Sequence, residues 1–464
     1  MMAPPQDILT VPTSIQWRHP YGALPRMAVL RAVGVDEDGR VGDVVTRSTF
    51  LGAAPGTMVV SLVMEPGAFF DPDTGIYAVG NGMLRQEEEA VRHFPADAKW
   101  WKYPGNYQFR GKEWERAGNM EVFGAAGELL CNVPVRTRIH GNNTRGFAQH
   151  ALRLSFPRPL PVDLLGTSGG QQALLLRAGG NDQNKAFMRD LLQHRLCASA
   201  PFETMQGRPV LVHVNGVFWG WHHLRERLDE HELARRHGVD HKGFTILEDR
   251  AVLYRGKVSE VKAFERIITR AERMDPTGPA YLDSIGRYLD LGNTSAYLAA
   301  QVFLGNADWP DQNVRYFRWT AAPIPGDPAL NGKWHFMMGD SDMGYGYVLS
   351  ADHDLFAQMA RSRAPVPRLF TALLRSPAFL EQVVRDMEAM MQGPLSTPAM
   401  LQEVDRLEQE MEGAMALHCQ RWRRPSSVPV WKRHVEDLRA FARRRPVAME
   451  QQLKELRTRV LPPA

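Results

Sequence analysis

Apolar residues in this chain change their spacing once, near residue 221, and that change limits the folds open to it. Before it, short β-branched and alternating runs dominate. "TMVVSLVM" (Thr57 to Met64) reads as a strand and runs into the turn-rich "EPGAFFDPDTG". "NMEVFG" and "VPVRTRIHG" read as paired strands, and "HALRLSF" (His150 to Phe156) alternates as a half-buried strand does. "RPVLVHVNGVFWGWHHL" reads as a hairpin closed by Asn215–Gly216. One helix is expected in this half, within "NKAFMRDLLQHRLCASA". After residue 221 the pattern predicts helices in "LRERLDEHELARRHG", "VSEVKAFERIITRAERM" and "NTSAYLAAQVFLGN". Only "VRYFRWT" and "KWHFMMG" interrupt them as strands, and from about Pro365 the chain reads as almost wholly helical. The class is therefore α+β, with a β-rich first half and a helical second half.

At 464 residues there is room for two or three domains. The expected division is an irregular arm over 1–50 ("APPQ", "HPYGALP"), a β-rich part over 51–220, a mixed part over 221–364 and a helical extension over 365–464. With 44% hydrophobic and 23% charged residues the chain is an ordinary globular one. A formal charge of +4 does not by itself point to nucleic acid, and no such partner is expected. The basic runs "RWRR" (Arg421 to Arg424) and "RRRP" (Arg443 to Pro446) read as the solvated face of C-terminal helices. Cys131, Cys197 and Cys419 are far apart, which argues against a disulfide framework or a cysteine-rich zinc site. His222, His223 and His231 lack the spacing of helical zinc ligands and read as surface or core residues. No run has the ~18 apolar residues of a membrane span, and "MMAPPQDILTVPTS" is not patterned as a signal peptide. As written the chain reads as cytoplasmic, with no membrane partner; a trimmed N-terminus leaves a secreted form open.

The candidate chemistry lies in two short stretches. "NADWPDQN" (Asn306 to Asn313) sits between a helix and a strand and holds Asp308 and Asn313 five positions apart. "GDSDMGYG" (Gly339 to Gly346) follows the next strand and holds Asp340 and Asp342 at alternate positions among glycines. Asp, Pro and Asn are ordinary turn formers and helix caps, and "DSD" alone is an ordinary solvated turn. Their order carries more: a helix, a loop with Asp and Asn, a hairpin and then a metal-type aspartate is the layout in which one Asp orients an acceptor hydroxyl while Asn and a later Asp hold a metal on phosphate. Magnesium takes such hard oxygen donors and shares them with nucleotide phosphates. Trp309 and Trp334 read as core beneath these loops, and the methionines of "MEAMM" as gap-filling core.

Together with these stretches, the segments "VVSLVMEPGAFFDPDTGIY", "GKEWERAGNMEVF", "RTRIHGNNTRGF", "LLRAGGNDQNKAFMRDLLQHRL", "RPVLVHVNGVFWGWHHLRERLDEHELARRHG" and the late "HCQRW…W" make the chain resemble the CotH kinase family, the atypical kinases named after spore coat protein H. The likeness runs from about residue 55 to 458. It implies a bilobal kinase-like fold, ATP with Mg²⁺ or Mn²⁺ as cofactor, and phosphoryl transfer to serine or threonine of a protein substrate. It gives Asp308 the catalytic-loop role, Asn313 a metal-supporting role, Asp340 the main metal ligand and Asp342 the second. It places Glu226, read as helical beside Arg225 and Arg227, near the nucleoside, and Arg145 and Arg153 on the segment facing phosphates. The family typically carries a lysine after the Gly-Asn-x-Ser/Thr-Arg segment. Here the run is "RGFAQHALRL", with Gln149 and His150 at those places and Arg145, Arg153 or Lys185 as substitutes.

Three other readings compete with a protein kinase. A kinase-fold enzyme transferring AMP or another group is compatible with the altered lysine segment. A nucleotide-binding pseudokinase scaffold sits poorly with Asp308, Asn313, Asp340 and Asp342 all being present. A nucleotide-sugar transferase using "DSD" would need an α/β nucleotide-binding half, which the β-rich start does not supply.

Overall fold

The computed structural model describes residues 7–83 and 98–460 of the chain. They form two compact units, each discontinuous in sequence. The first holds the described residues up to Phe187 with Gly207–Arg227 and Glu408–Lys432; the second holds Met188–Gln206, Leu228–Leu407 and Arg433 onward. The units do not follow the expected contiguous parts: Met188–Gln206, inside the β-rich part expected over 51–220, belongs to the second unit. The arm over 1–50 carries a hairpin, β1 (Met27–Ala32) against β2 (Val45–Phe50). The helical stretch after 365 is shared, Glu408–Lys432 belonging to the first unit and the flanking residues to the second.

Seven strands of the first unit close into a barrel: β3 (Val59–Met64), β4 (Arg116–Phe123), β5 (Leu129–His140), β6 (Ala151–Ser155), β7 (Ala173–Arg177), β8 (Gly207–Val214) and β9 (Val217–Glu226), in the order β3-β4-β5-β6-β7-β9-β8. Closure pairs β3 with β8 in parallel, Val59 beside Leu211, so the barrel has no free edge. Alternation sends Leu152 and Leu154 of β6 and Leu174 and Leu176 of β7 into one apolar core with Trp219 and Leu224 of β9. Asn215 (φ 49°) and Gly216 (φ 78°) close the β8–β9 hairpin as the Asn–Gly pair predicts, since such a turn needs positive φ at both positions.

Arg421 departs from the solvated face expected of "RWRR". It is fully buried, its guanidinium 4.1 Å from the Trp219 ring and 3.9 Å from the Trp422 ring. Two indole faces stand in for water around the charge, and burial draws its pKa down to about 9.

The second unit is built on an antiparallel sheet ordered β11-β10-β12-β13, with β10 (Phe244–Glu248), β11 (Val252–Arg255), β12 (Val314–Trp319) and β13 (Trp334–Met338). The sequence pattern predicts only β12 and β13. β10 and β11 are five and four residues long, and a buried run as short as "FTIL" has no periodicity that separates strand from helix. Helices Val258–Arg273 and Leu291–Leu304 form as the spacing predicts. In "LRERLDEHELARRHG" the helix starts later, at Glu230, because Asp229 caps it and accepts the backbone N–H groups of His231 and Glu232. Leu224 to Glu226 therefore belong to β9, which corrects the helical placement of Glu226. Cys131, Cys197 and Cys419 are all free and buried. Among the described residues no helix is long and apolar enough to cross a membrane.

Candidate functional site

Helix Leu291–Leu304 delivers the first loop. Asp290 caps its start by accepting the Asn293 N–H at 2.9 Å, and Gly305 ends it in the left-handed conformation at φ 64°. Its last turn is held from outside by Arg445, another member of a basic run expected on the solvated face. Arg445 is fully buried and donates to the carbonyls of Val302 (2.6 Å), Phe303 (2.8 Å), Ala351 (2.7 Å) and His353 (3.0 Å). The helix leaves its last carbonyls without intrahelical partners, and a fixed cation answers both their hydrogen bonds and the negative end of the dipole.

Past Gly305 the loop is pinned on both sides. Asn306 accepts the Asp308 N–H at 3.2 Å and donates from Nδ2 to the Asp340 carbonyl at 3.0 Å, joining the two candidate loops. Trp309 is fully buried, donates to the Tyr297 hydroxyl at 3.1 Å and stacks on Phe370 with ring centres 5.7 Å apart; its bond to Pro310 is cis. Trp334 is likewise core. The tryptophan anchors the loop beneath its polar face. Asn313, left-handed at φ 59°, donates from Nδ2 to Asp308 Oδ2 at 3.2 Å. Asn is among the few residues that adopt that backbone readily.

The second loop leaves β13 at Gly339. A Cβ there would stand 2.9 Å from the Asn313 carbonyl oxygen, so this glycine serves the close approach of the two loops. Helix Arg189–Leu196 holds the loop by three side chains. Asp190 Oδ1 accepts from the N–H (2.9 Å) and hydroxyl (3.1 Å) of Ser341, and Gln193 donates to the Ser341 carbonyl at 2.6 Å. His194 Nδ1 accepts the Met205 N–H, which leaves Nε2 to donate to the Gly339 carbonyl at 3.0 Å. The Asp342 N–H closes the turn on Asp340 Oδ1 at 3.2 Å. Asp340 is half-buried and Asp342 buried.

Electrostatics links the loops. The Asp308 carboxyl is pushed above the ordinary carboxylate range, first by burial and then by the charges of Asp340 and Asp249, against the Asn313 hydrogen bond. Asp249 stands in the β10–β11 turn at φ 50°, tied by its N–H to the Val314 carbonyl at 2.8 Å. The Asp308 carboxyl near Asp340 and Asp249, beside the Asn313 amide oxygen, is a donor set that suits a hard divalent cation. No group of three or more His, Cys, Asp or Glu among the described residues is arranged to hold a metal alone.

The candidates on the first unit fare differently. Arg145, expected to face phosphates, spends its guanidinium on the carbonyls of Gly141 (2.8 Å), Tyr107 and Phe109 (2.9 Å each) and Ile139 (2.7 Å). It is a loop clamp. His150 is fully buried among aromatic rings, 4.4 Å from Tyr77 and 5.0 Å from Tyr107, and donates its backbone N–H to the Tyr77 hydroxyl. Burial holds its pKa near 3, so it brings no charge to a phosphate. Gln149 is also buried and donates to the Trp221 carbonyl at 2.7 Å. Lys185 is half-buried after the turn Gly180–Asn184. Arg153 lies half-buried on β6 facing away from the barrel core, and Glu226 is fully buried on β9 opposite Leu174.

The structure thus brings together Asp308, Asn313 and Asp340, with Asp342 behind Asp340. It adds Asp190, His194, Asp249, Asn306 and Arg445, which motif reasoning passed over. A family model described as CotH kinase protein matches residues 137–449, which take in both loops, the helix that holds the second and the Arg445 clamp. No curated protein matches the chain. The match covers well over half of the sequence, and the chain belongs to the CotH kinase family.

Proposed function

We propose that the protein is an ATP-dependent kinase that phosphorylates serine or threonine of a protein substrate, its two compact units serving as the lobes of a kinase-like fold. The observation that carries this reading is the hydrogen bond from Asn313 to Asp308, in a loop where burial and then the neighbouring charge of Asp340 raise the Asp308 pKa. A carboxyl held above its usual range keeps enough basicity to accept the proton of an acceptor hydroxyl. The hydroxyl oxygen forms its bond to the γ-phosphorus, the bond from that phosphorus to the β-phosphate oxygen breaks, ADP leaves, and the proton passes to Asp308 Oδ1 or Oδ2. Asn313 orients Asp308 for this. Asp340 and Asp342, with Asn313, would hold Mg²⁺ or Mn²⁺, which when bound with ATP neutralises phosphate charge.

The test is intact-mass analysis after incubation with ATP and Mg²⁺ or Mn²⁺, with and without an acceptor protein, beside Asp308→Ala and Asp340→Ala. A phosphoryl increment lost in both variants supports the kinase. An AMP increment replaces it with nucleotidyl transfer. No increment, together with no stabilisation by ATP, leaves a scaffold and ends the nucleotide-enzyme reading.

A further inference from the structure

The second unit holds two adjoining cavities, and neither is lined by Asp308, Asn313, Asp340 or Asp342. The larger, about 690 Å³, carries Glu203, His237, Asp290, Asp327, His335 and Asp386 on its wall. The smaller, about 240 Å³, is lined by Leu196, Met390, Pro394 and Leu395 with the thiol of Cys197. Ala200, Pro201, Ala296 and Asp386 belong to both walls, so Asp386 stands where the polar cavity meets the apolar one. Together they have the size of a small-molecule site.

Part of the charge on the polar wall is balanced where it stands. His237 lies between Asp327 Oδ2 at 2.7 Å and Glu203 Oε1 at 3.5 Å, and Arg236 also donates to Glu203. Asp290 and Asp386 differ: among the described residues every group that hydrogen-bonds to them is neutral, and neither has an ion-pair partner. Asp290 accepts the Asn293 N–H (2.9 Å) and the Asn331 amide (3.1 Å); Asp386 accepts the Ser295 hydroxyl and the Gln382 amide (2.8 Å). Asp290 at least has the positive end of helix Leu291–Leu304 beside it. Asp386 lies past the middle of helix Pro377–Gln392, where the dipole offers an anion nothing.

His335 adds a further acceptor. Its ring is 4% exposed, and Nε2 meets Asn331 Oδ1 at 3.1 Å. That oxygen also accepts the Lys333 N–H at 2.9 Å, so Nε2 is the donor and Nδ1 carries the lone pair of a neutral ring. Burial draws the pKa of the ring down, in keeping with that neutral form. Among the described residues no hydrogen bond reaches Nδ1. Buried acceptors normally have a donor, and this one lines a cavity. Two carboxylates without a cation and a ring nitrogen without a donor, next to an apolar chamber, match a cationic donor that carries hydrocarbon.

We propose that the two cavities bind an aliphatic amine as its ammonium, with the charged head at Asp386 and Asp290 and the hydrocarbon tail against Leu196, Met390 and Leu395. This site lies beyond the phosphoryl-transfer reading and does not rest on it.

The test is titration calorimetry of the full chain at pH 7 with n-hexylamine, n-propylamine, n-hexanol and hexanoate. The parent should bind hexylamine, should bind hexanol about tenfold more weakly or worse, and should not bind hexanoate, whose charge repeats that of the wall. Propylamine should bind more weakly than hexylamine, because each methylene buried in the apolar chamber adds affinity. Asp386→Asn should weaken hexylamine by about tenfold or more, the loss of a charged hydrogen bond. Asp290→Asn removes a charge while keeping a good helix cap. It should weaken hexylamine several-fold at an unchanged melting temperature, and it decides the matter should Asp386→Asn fail to fold. Hexylamine binding that is absent in the parent, matched by hexanol, or unchanged in the asparagine variants overturns the proposal.

Discussion

Asn313 donates to Oδ2 of Asp308 at 3.2 Å from a left-handed backbone, so the residue that steadies the candidate base is itself fixed by a conformation few residues accept. Asn313→Ala removes the hydrogen bond and strains the turn. Activity should fall about 100-fold or more, the scale of a positioned general base. Asn313→Gly relieves the backbone and not the hydrogen bond, so it should recover melting temperature without recovering rate. Recovery of rate along with melting temperature in Asn313→Gly would place the Asn313 effect in the backbone alone.

Asp308 carries a charge the fold disfavours. Its pKa is raised, so the folded protein binds its proton more tightly than the unfolded chain does. The cost of ionising it is absent below the unfolded value and fully present above the folded one. Asp308→Asn should therefore raise the melting temperature at pH 7 and abolish phosphoryl transfer together. The stabilisation should vanish as pH is lowered through the carboxylate range. A melting curve unchanged at both pH values means the carboxyl is not under that strain.

Asp190 acts on the second loop without touching a reactant. Both donors of Ser341, flanked by Asp340 and Asp342, converge on its Oδ1. Residues behind metal ligands typically set affinity by about 10- to 100-fold. Asp190→Ala should raise the Mg²⁺ concentration needed for half-maximal activity by that factor, and Asp190→Asn, which keeps an acceptor, should restore part of it. A loss of rate with no shift in Mg²⁺ dependence points to a purely structural role.

Much of this molecule could be read from its residues, and the failures share a cause. The β8–β9 hairpin, the helices Val258–Arg273 and Leu291–Leu304, and the loops around Asp308 and Asp340 rest on local rules that a short window contains. Arg145, Arg421 and Arg445 were misjudged because the environment of a long charged side chain is decided by distant residues. Arg445 meets carbonyls 92 to 143 positions away, and Arg421 a ring at Trp219. His150 immediately precedes β6, whose inward face was legible, yet nothing local says that Tyr77 and Tyr107 close over it. Asp249 was invisible for the same reason as β10 and β11, whose short runs lack a period.

Arg445 offers a direct check on what holds the first loop in place. Its removal leaves the carbonyls of Val302, Phe303, Ala351 and His353 without this donor inside the protein. Buried acceptors stripped of a charged partner cost about 1–3 kcal/mol each before relaxation. Arg445→Met should thus cost about 3 kcal/mol or more in urea unfolding. Arg445→Lys should recover only part, because one ammonium cannot span the same set of acceptors. Equal stability of parent and methionine variant would show that water serves those carbonyls as well.

The first unit should be acid-sensitive well above the carboxylate range. Burial holds His140, His150 and His418 near pKa 3 and His213 and His222 near 4, all inside this unit. Unfolding releases each to its ordinary value of about 6.5, so between about pH 6.5 and 4 the unfolded chain binds more protons than the folded one. Stability is therefore constant above that window and falls as pH drops through it, each histidine contributing up to about 1.4 kcal/mol per pH unit. His150→Phe fills the same aromatic pocket without a titrating ring, and should flatten the fall measurably while leaving the melting temperature at pH 8 nearly unchanged. His150→Lys should fail at every pH, because the pocket between Tyr77 and Tyr107 cannot solvate an ammonium. The measurement is the thermal midpoint from pH 4 to 8 for parent and both variants. A midpoint independent of pH down to 4 would mean that water reaches these rings.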